Sequence, residues 1–245
     1  MTLHGTNGAG LPTKALPDLR QVVLLTADLE DTLATARAHL EVPHGFRDVT
    51  GMAAIGFVHE VFGFEHTYVE VCQPADPDSR LGQRVATRGD FGFMVVVQVD
   101  DVEAMVGRAR DIGIEPLFVK DHHGNTVSQW HPRDFGTLAE FDQIRPADAW
   151  HFAPDVYEAR GSSIVDDIVA VHVSVPHPEE MARRWAVVLD ATLEDDGTSV
   201  NAGGRSVHFA DVPATSGLHA VDCRAADPRR IGSELPLGGV AFRFV

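Results

Sequence analysis

LRQVVLLTADLED (19–31) and GFMVVVQVDDVEA (92–104) decide how this chain folds. Each begins with a run of valines and leucines of the length and branching that suit a buried strand. Each then passes through an aspartate into an acidic stretch. Asp28 and Asp101 stand where a helix N-cap would, with acidic residues in the following turn. The spacing predicts helices over 29–40 and 102–112. Leu29, Leu33, Ala36 and Leu40 share one face of the first, and Val102, Met105, Val106 and Ala109 share one face of the second. Gly113 then ends the second helix.

Working outward, the same strand-to-helix entry recurs at IVAVHVSVPHPEE (168–180), leading into a helix over 178–189. A fainter echo is GLHAVDCRAADP (217–228). Recurrence of one unit is the signature of a repeat architecture. Extended segments follow the first helix at 43–49, 52–61 and 66–73, and the second at 115–120, 125–131 and 137–143. FGFE (62–65), HHGN (122–125) and RDFG (133–136) supply the turns. The unit is therefore a strand, a helix and three strands. The third unit has strands at 198–202 and 206–210 around the turn AGGR (202–205). The expected class is α+β, with tandem βαβββ modules and a shortened second pair at the C-terminus. The expected division is an extension over 1–18, a first pair over 19–145, a linker over 146–165 and a shortened, degenerate pair over 166–245.

The chain has 245 residues, 44% hydrophobic and 23% charged, which is ordinary globular composition and excludes a disordered or fibrous protein. Its formal net charge is −16, which repels phosphate backbones and argues against nucleic acid as a partner. That charge does not forbid a local basic pocket for an anionic substrate. No apolar run reaches the ~20 residues of a membrane span. MTLHGTNGAGLPTK (1–14) has no apolar core, so no secretory signal is expected. Two cysteines, Cys72 and Cys223, are no disulfide framework and fit a reducing cytoplasm, with a single bridge between them left open.

The paired entries QVVLLTADLED and MVVVQVDDVEA, with the closing strand DFGTLAEFD, resemble the glyoxalase, or vicinal oxygen chelate, superfamily. The resemblance covers residues 19–143 well and 166–245 weakly. It implies curved mixed sheets around a cleft, with a divalent metal (Mn, Co, Ni, Zn or Mg) held by the first and last strands of both units. Those positions here are Gln21, Glu70, Met94 and Glu140. Carboxylates and an amide oxygen suit a hard cation. Burying an isolated glutamate is costly, and a metal would offset that cost. Met94 departs from the family's histidine, and a thioether is a poor ligand for hard ions. His131, in SQWHPRD, and His59 are the candidate replacements, with His131 preferred. The corresponding positions of the third and fourth echoes are Ala170 and Ala220, which bind no metal. The second pair is therefore read as structural or as an interface.

DSRLGQRVATRGDFGF (78–93) is similar to the linker of methylmalonyl-CoA epimerases, although Gln21 and Met94 replace both histidines of the epimerase pattern. Glyoxalase I does use glutamine and two glutamates at three of the four positions. The implied chemistry is that of a lyase, isomerase or epimerase acting on a small oxygenated substrate through a metal-stabilised enolate, with Glu140 as the proton-transferring residue. His59, Met94 and Trp130 are expected to line the substrate cleft. The main rival is a metal-free sequestration protein whose cleft Met94, Trp130, Phe57, Phe93 and Phe135 make apolar. A ring-cleaving dioxygenase ranks lowest, because its histidine positions are unfilled. No G-x-S-x-G elbow is present, and Cys72 inside a strand reads as packing. The cleft is expected within one chain, with a homodimer as the alternative.

Overall fold

The computed structural model describes residues 15–147 and 160–245. The extension up to residue 14 and most of the expected linker, 148–159, lie outside the described residues. The first half runs β1 (Asp18–Leu25), α1 (Leu29–Leu40), α2 (Val49–Ala54), β2 (Phe57–Gly63), β3 (Tyr68–Pro74), α3 (Arg80–Arg88), β4 (Phe91–Gln98), α4 (Val102–Asp111), β5 (Phe118–His122), β6 (Asn125–Trp130), α5 (Pro132–Phe135) and β7 (Leu138–Gln143). The second runs β8 (Val165–Ser174), α6 (Pro178–Leu189), β9 (Thr192–Leu193), β10 (Ser199–Ala202), β11 (Arg205–Ala210), β12 (Gly217–Ala225), a 3-10 turn (Pro228–Arg230), β13 (Glu234–Leu237) and β14 (Val240–Phe244).

Two mixed sheets result, each of seven strands, and the first curls into a half-barrel. Their orders are β2-β3-β1-β4-β7-β6-β5 and β13-β14-β12-β8-β11-β10-β9. In both, the first strands of two units meet antiparallel at the centre, and each is flanked by the parallel closing strand of its own unit. Shortening in the second half falls on the last unit, where the 3-10 turn replaces a full helix and one strand is lost. The first unit also has three strands. Its segment 43–49 is not a strand. Pro43 cannot donate to a ladder, a single bridge joins Phe46 to Val61, and the Asp48 side chain caps α2 instead.

The helix entries follow the predicted local chemistry. Asp28 accepts from the Asp31 N–H and Asp101 from the Ala104 N–H, both at 3.0 Å. The predicted apolar faces of α1 and α4 are the buried ones. Their residues join a continuous core that also takes in α6 and the inner face of the second sheet. At its centre Trp130, Phe135, Phe141 and Trp185 pack with centroids 5.2–6.0 Å apart, edge to face except for the tilted Trp130–Phe141 pair. The opposite face of the first sheet carries a separate apolar cluster that includes Val23, Val61, Tyr68, Met94 and Val96. That face is the inside of the half-barrel.

The two sheets are also tied by buried charge. Arg205 bonds Asp18 at 2.6 Å, pairs with Asp167 and donates to the Ile168 carbonyl. Thr67 Oγ1 donates to Asp167 at 2.5 Å. Burial pushes the Asp167 carboxyl up, but the Arg205 charge and the bonds from Thr67, Arg205 and the His66 N–H outweigh it and hold it below the usual range. Close approach is part of the same join. A Cβ on Gly203, at φ +70°, would stand 2.4 Å from the Asp18 carboxylate, and one on Gly92 would stand 2.3 Å from the Leu218 carbonyl. Among the described residues no helix is long and apolar enough to cross a membrane.

Removing one partner of a buried pair strands the other charge, so Arg205→Ala should lower unfolding free energy by about 3–5 kcal/mol, read by urea denaturation. Because the folded Asp167 value is depressed, its contribution is complete above the ordinary aspartate value of about 3.9 and is lost as pH falls through the depressed one. Acid unfolding of the wild type should therefore be steeper below pH ~4 than that of Asp167→Asn.

Candidate functional site

Strand register places the candidate residues. Gln21 lies beside Val96, and Val96 beside Glu140, in one row across β1, β4 and β7. Val23 lies between Glu70 and Met94 in the next row, across β3, β1 and β4. Directly paired residues face the same side of a sheet. Gln21, Glu70, Met94 and Glu140 therefore stand on the inner face of the half-barrel. A register shift in the β1–β4 pairing lets Phe91, Phe93 and Met94 all pack on this side. Phe57, Phe93 and Phe91 form a chain of rings with centroids 6.1 and 6.2 Å apart. Phe46 and Met52 pack from the α2 segment, and Leu81 and Val85 from α3.

Hydrogen bonds fix the polar floor. Gln21 Nε2 donates to Glu70 Oε2 at 2.9 Å, and the other Glu70 oxygen lies 2.6 Å from His59 Nδ1. The Asp48 N–H donates to His59 Nε2 at 2.8 Å, so that nitrogen carries the lone pair and Nδ1 carries the proton given to Glu70. His59 thus holds Glu70 rather than facing a substrate. Gln129 Nε2 donates to Glu140 Oε2 at 3.0 Å and lies 3.7 Å from Met94 Sδ. Burial, with the Glu70 charge acting in the same direction, pushes Glu140 up to about 7 against the opposing bond from Gln129. Burial and then Glu140 push the Asp142 carboxyl well above its usual value. Gln21 Oε1 is buried and has no hydrogen-bond partner among the described residues.

Two expected site residues lie elsewhere. His131 is exposed, and its Nδ1 accepts from the Arg133 N–H as the cap of α5, so it does not replace Met94. Trp130 points to the opposite face, fully buried in the aromatic core, with Nε1 donating to Ser128 Oγ. A strand reverses faces at every residue, so Gln129 takes the cleft side and Trp130 cannot. Phe135 is buried in the same core. Gln129 and Asp142 are the site residues that sequence reading missed. The signal for Gln129 was its pairing with Glu140 across β6 and β7, visible only once register was known, whereas Asp142 shares the Glu140 face two residues further along β7.

Among the described residues no three His, Cys, Asp or Glu side chains form a ready-made metal cluster. The donor set here is mixed. Two carboxylates repel each other beside a buried amide oxygen with nothing to bond. A hard cation answers all three, through Gln21 Oε1, Glu70 and Glu140, and the residues fit it in that sense. Met94 contributes no hard donor.

The equivalent face of the second sheet carries different chemistry. Register sets His172 where Val23 stands, His208 for Glu70, Ala220 for Met94, Ala170 for Gln21 and Arg243 for Glu140. His172 Nε2 lies 2.9 Å from Asp222, its ring stacks on His208, and His208 Nδ1 bonds Ser199 Oγ at 2.5 Å. A guanidinium in the place of Glu140 cannot help to hold a cation.

No protein-family model matches the chain, and no curated protein matches it. Solved structures do. A hypothetical protein from Staphylococcus aureus aligns over 94% of this chain and 99% of its own, at 13% identity and a TM-score of 0.66. Methylmalonyl-CoA epimerase from Mycobacterium tuberculosis aligns over 56% of this chain and 95% of its own, at 20% identity and a TM-score of 0.47. At 13% identity the likeness to the Staphylococcus aureus protein shows the fold alone.

Burial raises the thiol of Cys72, with the adjacent Glu70 acting in the same direction, and raises that of Cys223 to above the usual thiol range. Neither cysteine should react with a disulfide reagent at pH 8 in the native protein, and both should react in denaturant.

Proposed function

We propose that the inner face of the first sheet is a proton-transfer site, and that the protein is a metal-dependent lyase or isomerase/epimerase acting on a small oxygenated substrate through an enolate. The observation that carries this reading is the conjunction of Glu70, Glu140 and the unsatisfied Gln21 Oε1 on one half-buried face. Gln21, Glu70 and Glu140 would hold the cation. When bound, a divalent metal supplies Lewis-acid stabilisation of the oxygen on which enolate charge develops.

The chain's own residues divide the remaining work. Glu140 takes the proton from the carbon beside the carbonyl and returns it. The Gln129 side chain donates to it and orients the carboxyl without fixing its charge. His59 and Gln21 hold Glu70 in one geometry, and the Asp48 N–H holds His59. Met94, Phe57 and Phe93 exclude water, which strengthens every charge interaction on the floor. The same apolar side chains, with the Gln129 N–H beside Met94, favour a second reading: a metal-free cleft that sequesters a hydrophobic ligand.

Elemental analysis of untagged protein separates the two. The enzyme reading expects near-stoichiometric divalent metal in the wild type and loss of it in both Glu70→Ala and Glu140→Ala. Absence of metal after incubation with Mn, Co, Ni and Zn would contradict it. Tight ligand binding that chelator leaves unchanged would establish the sequestration reading instead.

A further inference from the structure

The segment HGFRD (44–48) carries the chain around the edge of the first sheet, against the end strand β2. Phe46 exchanges two backbone hydrogen bonds with Val61, of 2.8 and 2.9 Å. Gly45 makes this approach possible, because a Cβ there would stand 2.1 Å from the Val61 carbonyl oxygen. The Phe46 ring packs on the inner apolar cluster, edge-on to His59 at 6.4 Å between centroids. Asp48 follows, and its N–H meets His59 Nε2.

Glu60 pins the same segment from the other side of the strand. It is the neighbour of His59 in β2, and alternation sends the two side chains to opposite faces. The Glu60 residue is only 2% exposed. Its Oε1 accepts from the Gly45 N–H at 2.8 Å and from Arg37, and its Oε2 accepts from Arg47 Nε at 2.8 Å. Burial pushes the Glu60 carboxyl up, but the bonds from Gly45, Arg47 and Arg37 outweigh it and hold it below its usual value. Arg47 is also bonded to Glu30 at 2.8 Å. Gly45 and Arg47 flank Phe46, and Asp48 comes next, so the buried carboxylate sets where the Asp48 N–H points. That N–H occupies the lone pair of His59 Nε2 and leaves the Nδ1 proton for Glu70. Every link from Glu60 to Glu70 is a hydrogen bond or a short run of backbone. Without the Asp48 N–H, the imidazole is free to carry its proton on Nε2, and Nδ1 would then turn a lone pair onto the Glu70 carboxylate.

We propose that Glu60 is a positioning residue of the site. Acting through Gly45, Arg47 and the Asp48 N–H, it fixes the tautomer of His59 and with it the orientation of Glu70. The task of Glu70 rests on the preceding reading, but the tautomer of His59 is separately testable. Groups that orient a metal ligand through a hydrogen bond typically cost about 10–100-fold in metal affinity when they are removed.

Long-range proton–nitrogen NMR of the full chain, labelled with 15N in its histidines, reads the tautomer. It is recorded without metal and at alkaline pH, where imidazoles are neutral. The His59 signal is assigned by its loss in His59→Gln. The wild type should show the Nδ1–H form alone. Glu60→Gln keeps the volume and an acceptor but removes the charge, and it should bring His59 into a mixture of the two forms. Arg47→Ala, a partly exposed change that leaves Glu60 in place, should move the signal the same way by less. Asp167→Asn weakens a buried ion pair elsewhere and should leave His59 as in the wild type, which separates positioning from a general loss of stability. A single unchanged tautomer in folded Glu60→Gln and Arg47→Ala, or an equal change in Asp167→Asn, would overturn the proposal. Titration with Co2+ then keeps the two readings apart. Binding weakened about tenfold in Glu60→Gln supports the link from His59 to Glu70, and affinity equal to the wild type would break it. A wild type that takes up no Co2+ would overturn the metal reading alone, and the His59 signal would still decide the role of Glu60.

Discussion

Antiparallel pairing of β1 with β4 is the constraint on which the rest of the molecule depends. It fuses two units that could not each cover their own sheet into one seven-stranded half-barrel. It also fixes which side chains meet. Because pairing alternates faces with a period of two, a slip of one residue would send Gln21 and Met94 into the helix-covered core and bring Val22 and Val95 into the cleft. The apolar cost of that slip holds the polar floor in place. The irregularity within the pairing, which brings Phe93 and Met94 to one side, shapes the aromatic wall without moving the carboxylates.

Much of this architecture was legible in the residues. The Asp28 and Asp101 caps and the apolar faces of α1 and α4 are local chemistry, so periodicity locates those helices within a residue or two. Gln21, Glu70, Met94 and Glu140 follow from the resemblance to the vicinal oxygen chelate pattern, which implies ligands on the first and last strands of each unit, and the matching spacing of the two units supports those positions. What escaped was whatever depends on partners distant in sequence. His131 looked available as a ligand, but a neighbouring backbone N–H claims its ring nitrogen. Trp130 looked like a cleft wall, but Gln129 beside it took that face. Segment 43–49 was expected to be extended, yet Pro43 is a poor strand residue and the capping bond of Asp48 starts α2 at Val49. His59 was read as a substrate contact because nothing local reveals that its two nitrogens are spent on Asp48 and Glu70.

The cleft floor sets stability against chemistry. Two carboxylates in one half-buried site, with the buried Asp142 carboxyl behind them, cost free energy that an apolar face would not. The second sheet supplies the contrast, since there the same register positions hold imidazoles, alanines and a guanidinium. The buried Arg205 network and the shared aromatic core give the first sheet a rigid backing on its other face. The unfavourable arrangement on the inner face is thereby held rather than relaxed.

The central claim is that Glu140 moves a proton to and from a carbon next to a carbonyl. Proton NMR in D2O tests it most directly, by following solvent deuterium into the α-position of a panel of acyl thioesters and hydroxyketones, with protein supplied with Mn or Co. The account predicts enzyme-dependent exchange on at least one member of the panel, falling by a hundredfold or more in Glu140→Gln while the fold and metal content of that variant are checked in parallel. Exchange that proceeds equally well in Glu140→Gln would contradict the assignment.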